Sequence, residues 1–346
     1  MIFHYSTFLR TQIPGFPVLG LGLSSVAGFF MISGFVISMT AEKHTFRGFA
    51  RNRAVRIFPT FWLCLALTLI LVPLLGVPAV FSGRQIAVNA SMLPSFFFVK
   101  SIDDVYWTLE VELSFYFAIA VLIAVGWLRW TERLVIVGLV LFVGVNVCFW
   151  GGWNPNWPTT LKLALVPLFV SGFYTQAPLL LAGMLFFRVK QSGFTPTRIV
   201  LLGLCAAGIF LTYIPSDGVI IILIFGLFAR VATTGIKILS HSALRFLGLI
   251  SYPLYLVHHN IGQALLGDLV QIMPAFLAMI VTAVLILMLA AAIHLAFERP
   301  VTRWLKSKLS PRQPARIDSG TPAAPVDSLG PIGGPSPTTL GDNLHF

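Results

Sequence analysis

The chain has 346 residues, of which 57% are hydrophobic and only 10% are charged, and its formal net charge is +11. Soluble domains contain about 25% charged residues, so this composition excludes an ordinary soluble protein and indicates one that crosses a lipid bilayer several times. The basic residues are spread over short loops between apolar runs and form no single patch, which argues against nucleic-acid binding.

The apolar runs are continuous and do not alternate with polar residues, so they predict helices and not a β-barrel. Several reach the roughly 17 to 25 residues that a spanning helix needs. We therefore predict an all-α polytopic membrane protein with about nine spanning helices. These are expected at about 18–40, 57–77, 110–128, 134–150, 173–188, 199–214, 219–236, 246–266 and 274–297.

The fifth predicted span is the weakest, because Pro167 and Pro178 interrupt it. Residues 161–174 are alternatively a re-entrant or interfacial helix. From about Ser310 the composition changes to Pro, Gly, Ser, Thr and Ala, which is typical of disorder. We thus expect a membrane domain at 1–309 and a disordered cytoplasmic tail at 310–346.

The orientation follows from the distribution of lysine and arginine over the short loops. If the loop after the first predicted span is cytoplasmic, that side collects 19 of the 23 basic residues. This bias predicts an outside N-terminus and a cytoplasmic C-terminus. The three cysteines, Cys64, Cys148 and Cys205, lie in or beside apolar runs without ligand spacing, so we expect neither a disulfide framework nor a metal site.

Arginines are concentrated just before the second predicted span. Arg51, Arg53 and Arg56 precede Pro59 in a basic loop, and Arg53 and Arg56 are three apart, so they share one face of a helix. Planar guanidinium groups suit phosphates, such as those of coenzyme A. The alternative is the plain topological role that any cytoplasmic basic loop fulfils.

Two carboxylates begin the third predicted span. Glu110 and Glu112 are two residues apart, about 200° around a helix, so they cannot both face the bundle interior. One interpretation turns Glu112 inward, where it pairs with a cation or orients a histidine. The other makes both carboxylates interfacial helix-start residues favoured by the helix dipole.

Histidine is the side chain best suited to take a proton from a hydroxyl near neutral pH. His4 lies in an apolar setting, and the adjacent His258 and His259 point to different faces of a predicted helix. A buried histidine is alternatively a hydrogen-bonded core residue. His294 and Glu298 are four apart and are expected to pair locally, which requires no function.

Five segments occur in an order and spacing that resemble the membrane acyltransferase 3 family, over about residues 1–305. They are FFMISGFVI at 29–37, RNRAVRIFP at 51–59, WTLEVELSFY at 107–116, SYPLYLVHH at 251–259 and FERP at 297–300. The resemblance implies ten spans in a bacterial inner membrane. It also implies transfer of an acyl group, usually acetyl, from cytoplasmic acyl-CoA to a hydroxyl of a carbohydrate such as a cell-envelope or secreted glycan.

The resemblance also implies roles for individual residues. His4 matches the family's first-span histidine, the expected general base or acyl relay, and Glu112 matches its glutamate. Arg53 and Arg56 match the family's arginines, which are expected to bind the phosphates of the donor. The ninth-span histidine matches His258. Further candidates are Ser33 and Tyr116, which lie within the first and third of these segments. Acyl-CoA is expected as a substrate, with no resident cofactor or metal.

The front of the chain departs from the family pattern, in which an arginine lies about three helical turns before the histidine. Only three residues precede His4, so the first helix is truncated either because the start is misassigned or because the protein has lost half of that helix. We expect a misassigned start; an in-frame stop codon immediately upstream of Met1 would contradict this. Two other functions remain open: a glycan or lipid-linked precursor transporter or flippase, and a catalytically inactive truncated relative.

Overall fold

The computed structural model of this protein describes residues 1–19, 22, 24–78, 80–150, 172–212 and 218–309. Every regular element within these ranges is helical, as the continuous apolar runs predict. Residues Met1–Lys308 form one compact unit. The predicted disordered tail at 310–346, and the predicted re-entrant segment up to residue 171, lie outside the described residues.

The described part of the chain contains thirteen α-helices. They are α1 (Ile2–Gln12), α2 (Ser24–Ala41), α3 (Phe46–Leu74), α4 (Gly83–Ala90), α5 (Trp107–Ala124), α6 (Thr131–Trp150), α7 (Phe173–Ser192), α8 (Pro196–Thr212), α9 (Gly218–Thr233), α10 (Ser242–Val257), α11 (Asn260–Leu269), α12 (Ala275–Ile293) and α13 (Arg299–Leu309). Short 3₁₀ turns occupy Pro94–Phe97, Asp104–Tyr106, Leu128–Trp130 and Lys237–Ser240, and a π-helical turn, His294–Glu298, joins α12 to α13.

Three helical segments among the described residues are long and apolar enough to cross a membrane, so the predicted count of nine spans is not confirmed. The three are Phe46–Leu74, Asp104–Ala124 and Ala275–Leu309. Shorter apolar helices occupy Ser25–Ala41, Pro196–Phe210, Gly218–Thr233 and Ser242–Val257.

Two of the predicted boundaries are wrong for physical reasons. The run expected as one span at 246–266 is broken, since α10 ends at Val257 and α11 begins at Asn260. The arginines expected in a loop lie within α3, which begins at Phe46 after Thr45 caps it by accepting a hydrogen bond from the Gly48 amide. Such a cap satisfies a free backbone N–H at the first turn of the helix. Helix α3 therefore begins in the basic segment that precedes its apolar part.

The central packing contact joins α2 and α7 at two glycines. A Cβ added to Gly34 would collide with the Leu180 backbone, and one added to Gly183 would collide with the Met31 backbone. Small residues allow helix backbones to approach this closely, which is a frequent device where neighbouring helices gain no hydrophobic driving force from lipid. This contact fixes α2, and therefore the polar residues on α2.

Helix α1 is held against α11 and α12 by its own small apolar cluster. Tyr5 and Leu9 are fully buried and pack with Leu266 and Ala278. Gly262 lies directly beneath the Tyr5 ring, where a Cβ would overlap it. Because Tyr5 is the neighbour of His4 in the sequence, this contact determines where the His4 side chain lies.

Helices α2 and α5 run in the same direction, and this relates the two ends of the candidate site. The Phe30 and Trp107 rings are in contact at 6.0 Å, and further along both helices Ser33 donates a hydrogen bond to Glu112. We call the end of the bundle at which α2 and α5 begin the histidine end, and the opposite end, which contains Arg53, the arginine end.

Candidate functional site

A cavity of about 410 Å³ lies at the histidine end. Residues of α1, α2, α10 and the segment before α5 line it, including His4, His258, His259 and Tyr255. The His4 ring centroid is 5.4 Å from that of His258 and 4.8 Å from that of His259. Three imidazoles, one from α1 and two from the adjacent residues between α10 and α11, therefore share one cavity, which we call the histidine cavity.

A buried carboxylate orients one of these histidines. His259 Nδ1 lies 2.8 Å from Asp103 Oδ1, and the Asp103 side chain is almost fully buried. Two backbone amides also donate to the carboxylate, that of Val105 at 3.2 Å and that of Asn260 at 3.1 Å. Since a carboxylate only accepts hydrogen bonds, Nδ1 of His259 carries a proton, and in the neutral ring Nε2 is the nitrogen with the free lone pair. This arrangement is the one in which an imidazole acts as a base.

The break between α10 and α11 makes this arrangement possible. His258 and His259 end one helix and precede the next, so their side chains are not confined to the faces of a single span. The side-chain amide of Asn260 donates to the Ile102 carbonyl at 2.8 Å, which ties the start of α11 to the segment before α5.

His258 is more buried than its neighbour and is bonded to its own helix. Its Nδ1 donates to the Tyr255 carbonyl oxygen at 2.8 Å, and the side chain is only 5% exposed. A carbonyl accepts but cannot donate, so Nε2 of His258 is again the unprotonated nitrogen of the neutral ring. This contact agrees with a hydrogen-bonded core histidine, but the residue also lines the histidine cavity.

A polar stripe on α5 extends from the histidine cavity toward the arginine end. Thr108, Glu112 and Tyr116 follow one another at intervals of four residues, so they lie on one helix face. The Thr108 hydroxyl lies 2.5 Å from that of Tyr255 at the cavity, and Ser33 donates to Glu112 Oε1 at 3.2 Å. The Tyr116 hydroxyl donates to the same Glu112 oxygen.

The stripe ends at Arg53. The Arg53 guanidinium donates to the Thr40 hydroxyl and lies over two aromatic rings, 5.5 Å from the centroid of Phe49 and 5.4 Å from that of Tyr116. Arg56, one turn later on α3, is exposed. Both arginines interact electrostatically with the Glu112 carboxylate. Arg53, Glu112 and Tyr116 form what we call the arginine–glutamate cluster.

The length of α2 gives the separation between the histidine end and the arginine end. Phe29 stacks on Tyr255 at the histidine cavity, and Thr40 contacts Arg53. At 1.5 Å per residue, the helix between Phe29 and Thr40 spans about 16 Å. The arginine end and the histidine end are thus connected by a polar stripe. Its length is roughly half the thickness of the hydrocarbon core of a bilayer, which is about 30 Å.

Glu110 and Glu112 face different surroundings, as their spacing predicts. Glu110 is fully buried and accepts hydrogen bonds from Ser95, at 3.1 Å from the hydroxyl. Glu112 is partly exposed and contacts Ser33 and Tyr116. No hydrogen bond to a histidine is found for Glu112 among the described residues; the histidine cavity's His259 is oriented by Asp103 instead.

The structure groups the residues predicted from the sequence into two sets. His4 and His258 meet in the histidine cavity, and Arg53 meets Glu112, Tyr116 and Ser33 at the other end of the stripe, whereas the Arg56 side chain is exposed.

The hydrogen-bonded pair of Asp103 and His259 was not predicted from the sequence. The available signal was an Asp-Asp pair, Asp103 and Asp104, in a chain with only 12 acidic residues. Outside the site, the predicted local pair of His294 and Glu298 is confirmed at 2.7 Å.

A family model matches most of the chain. The model of a family described as an acyltransferase domain, acyltransferase 3, matches residues 1–295. Searches of the curated proteins and of the solved structures found no significant match. The matched range includes both the histidine cavity and the arginine–glutamate cluster. The chain therefore belongs to the acyltransferase 3 family and is a membrane acyltransferase.

Proposed function

We propose that this acyltransferase transfers an acyl group, expected to be acetyl, from cytoplasmic acyl-CoA to a hydroxyl of a carbohydrate, as in a cell-envelope or secreted glycan. The observation that carries the proposal is the hydrogen bond from His259, which lines a cavity together with His4, to the buried carboxylate of Asp103. An oriented imidazole beside a space large enough for part of a sugar is what activation of a hydroxyl requires.

In the proposed reaction, His259 is the general base and Asp103 its positioning residue. As the acceptor oxygen attacks the thioester carbonyl, Nε2 of His259 takes the hydroxyl proton. The C–S bond then breaks, and the departing coenzyme A thiolate takes that proton, so the products are an ester and a free thiol. His4, 4.8 Å from His259 by ring centroids, is proposed to hold the acceptor hydroxyl or to receive the acyl group in a relay.

At the other end, Arg56 and the arginine–glutamate cluster are proposed to bind the donor. Arg56 is exposed, so its side chain is accessible to a phosphate, and Arg53 is held on its rings with a fixed orientation. Arginine forks bind phosphates through paired hydrogen bonds. The stripe of Thr108, Glu112 and Tyr116 then offers hydrogen-bonding groups along the path by which the thioester would approach the histidine cavity.

The test is an acylation assay on the purified protein in lipid nanodiscs. With acetyl-labelled acetyl-CoA and an envelope carbohydrate extract, we expect label in carbohydrate ester, released by mild alkali. His259→Gln and His4→Ala are expected to abolish labelling. In proteoliposomes, which unlike nanodiscs enclose a separate compartment, movement of the carbohydrate across the bilayer without labelling would support the transporter alternative. The absence of both labelling and movement would support the inactive relative.

A further inference from the structure

A second cavity, of about 440 Å³, lies where α6 begins, α7 ends and α8 begins. It is separate from the histidine cavity and shares no lining residue with it. We call it the α6 pocket. Its lining comprises Arg129, Trp130, Thr131, Glu132, Arg133, Arg188, Ser192 and Arg198.

Two of these arginines are already neutralised and form the walls. Arg198 pairs with Glu132 at 2.7 Å, and Arg188 pairs with Glu42 at 2.8 Å. Each also donates to a backbone carbonyl, Arg198 to Gly193 at 2.6 Å and Arg188 to Leu128 at 3.0 Å. These contacts link the ends of the three helices and hold the pocket open, but they leave these two arginines little capacity for a ligand.

The other two arginines have no such partner. Among the described residues, no carboxylate lies within 4.0 Å of the Arg129 or Arg133 guanidinium. Both lie over the Trp130 ring, at 5.7 Å and 4.0 Å from its centroid. The aromatic contact orients the guanidinium planes while leaving their N–H groups available. Two oriented cations without a counter-charge favour an anion with several acceptor oxygens, such as a phosphate.

The position of the pocket indicates where the phosphate comes from. The side of α6 that continues from the pocket into the bundle's outer surface is apolar and exposed, with Val137 55%, Val140 64% and Leu141 63% accessible. Trp130 itself is 44% exposed, and tryptophan prefers the membrane–water interface. A molecule with a phosphate beside two long apolar chains fits this combination, whereas a free phosphate would use only the pocket.

We propose that the α6 pocket binds the phosphate of an anionic phospholipid, whose acyl chains lie along α6. Basic pockets between helices at a membrane interface are suited to such headgroups. A zwitterionic lipid would bring an ammonium group toward Arg129 and Arg133, so the pocket should discriminate against it. The inference does not depend on the acceptor or the donor of the acyl transfer.

The test compares lipids retained by the full chain during purification. We would exchange the protein into mixed micelles of phosphatidylglycerol and phosphatidylcholine with matched chains, and quantify bound lipid by mass spectrometry. Phosphatidylglycerol should be enriched on the wild type and bind roughly 30-fold more weakly to the Arg129→Gln/Arg133→Gln variant, if each arginine acts as basic residues typically do at anionic surfaces. Lys306→Gln/Lys308→Gln removes the same charge from exposed positions on α13 and should leave retention unchanged.

Three outcomes would overturn the proposal. One is equal phosphatidylglycerol retention by the wild type and the glutamine variant. Another is displacement of the lipid from the wild type by inorganic phosphate or coenzyme A at equal concentration, which would assign the pocket to a soluble phosphate. If the double glutamine variant fails to fold, the single variants Arg129→Gln and Arg133→Gln replace it, and unchanged phosphatidylglycerol retention in both would contradict the proposal.

Discussion

The contact between Asp103 and His259 can be tested by a change of a single atom, Asp103→Asn. In the wild type, Oδ1 of Asp103 accepts from His259 Nδ1 at 2.8 Å and from the Val105 amide at 3.2 Å, while Oδ2 accepts from the Asn260 amide at 3.1 Å. Every group around the carboxylate is thus a donor. Asparagine replaces one of the two oxygens with an NH₂ group, which cannot accept.

The NH₂ group of the new asparagine can take the place of either oxygen. Both placements are unfavourable: one lowers the stability of the protein and the other removes the catalytic base. If the NH₂ group faces the Asn260 amide, two donors oppose each other in a buried site, which costs about 1–3 kcal/mol of stability. If it faces His259, Nδ1 must accept and the ring proton moves to Nε2, so the base is lost. General-base catalysis contributes about 10²–10⁴-fold, so we expect kcat to fall by that factor.

The assay is initial-rate acylation in nanodiscs, with KM for acetyl-CoA measured alongside kcat. KM should change by less than about threefold, because Asp103 is remote from the arginine end. The matched control is Asp104→Asn, since Asp104 lines the same cavity without a hydrogen bond to a histidine among the described residues. Asp103→Asn retaining more than half of wild-type kcat, or an equal loss in both variants, would refute the proposed role of the pair.

Further predictions concern the contacts that support the two ends. Gly262→Ala should overpack the Tyr5 ring, destabilise the protein by about 1–3 kcal/mol and lower kcat by moving α1, as measured by unfolding in detergent and by acylation rate. Arg56→Lys should raise KM for acetyl-CoA with little change in stability, because its side chain is exposed. Arg53→Lys should also lower stability, by about 0.5–2 kcal/mol, because it loses contact with two rings.

Each of these has a control within the chain. A Cβ on Gly248 would meet no atom within 4 Å, so Gly248→Ala should leave the stability of the protein equal or higher. If Gly262→Ala also leaves stability equal or higher, the predicted overpacking of the Tyr5 ring is wrong. For the arginines, an unchanged KM in Arg56→Lys together with a raised KM in Arg56→Gln would mean that Arg56 acts only as a charge. Unchanged stability in Arg53→Lys would contradict the structural part of its role.

Much of this architecture was predictable from the residues alone. The continuous apolar runs specify helices, because a lipid-exposed backbone must satisfy its own hydrogen bonds. Helical spacing separates Glu110 from Glu112 on α5 and pairs His294 with Glu298, and both results are found. The break of the predicted 246–266 span was not foreseen, since hydropathy averages over a run that contains His258 and His259 at its centre.

The sequence by itself therefore determined the class of protein, the family and most of the polar residues that the structure brings together. Only the tertiary structure decided how they are grouped: Asp103 with His259, across 156 residues, and Arg53 with Glu112 and Tyr116. The physical reason is that periodicity specifies which residues share a face of one helix, whereas the meeting of faces from different helices depends on close packing, such as that of Gly34 against α7.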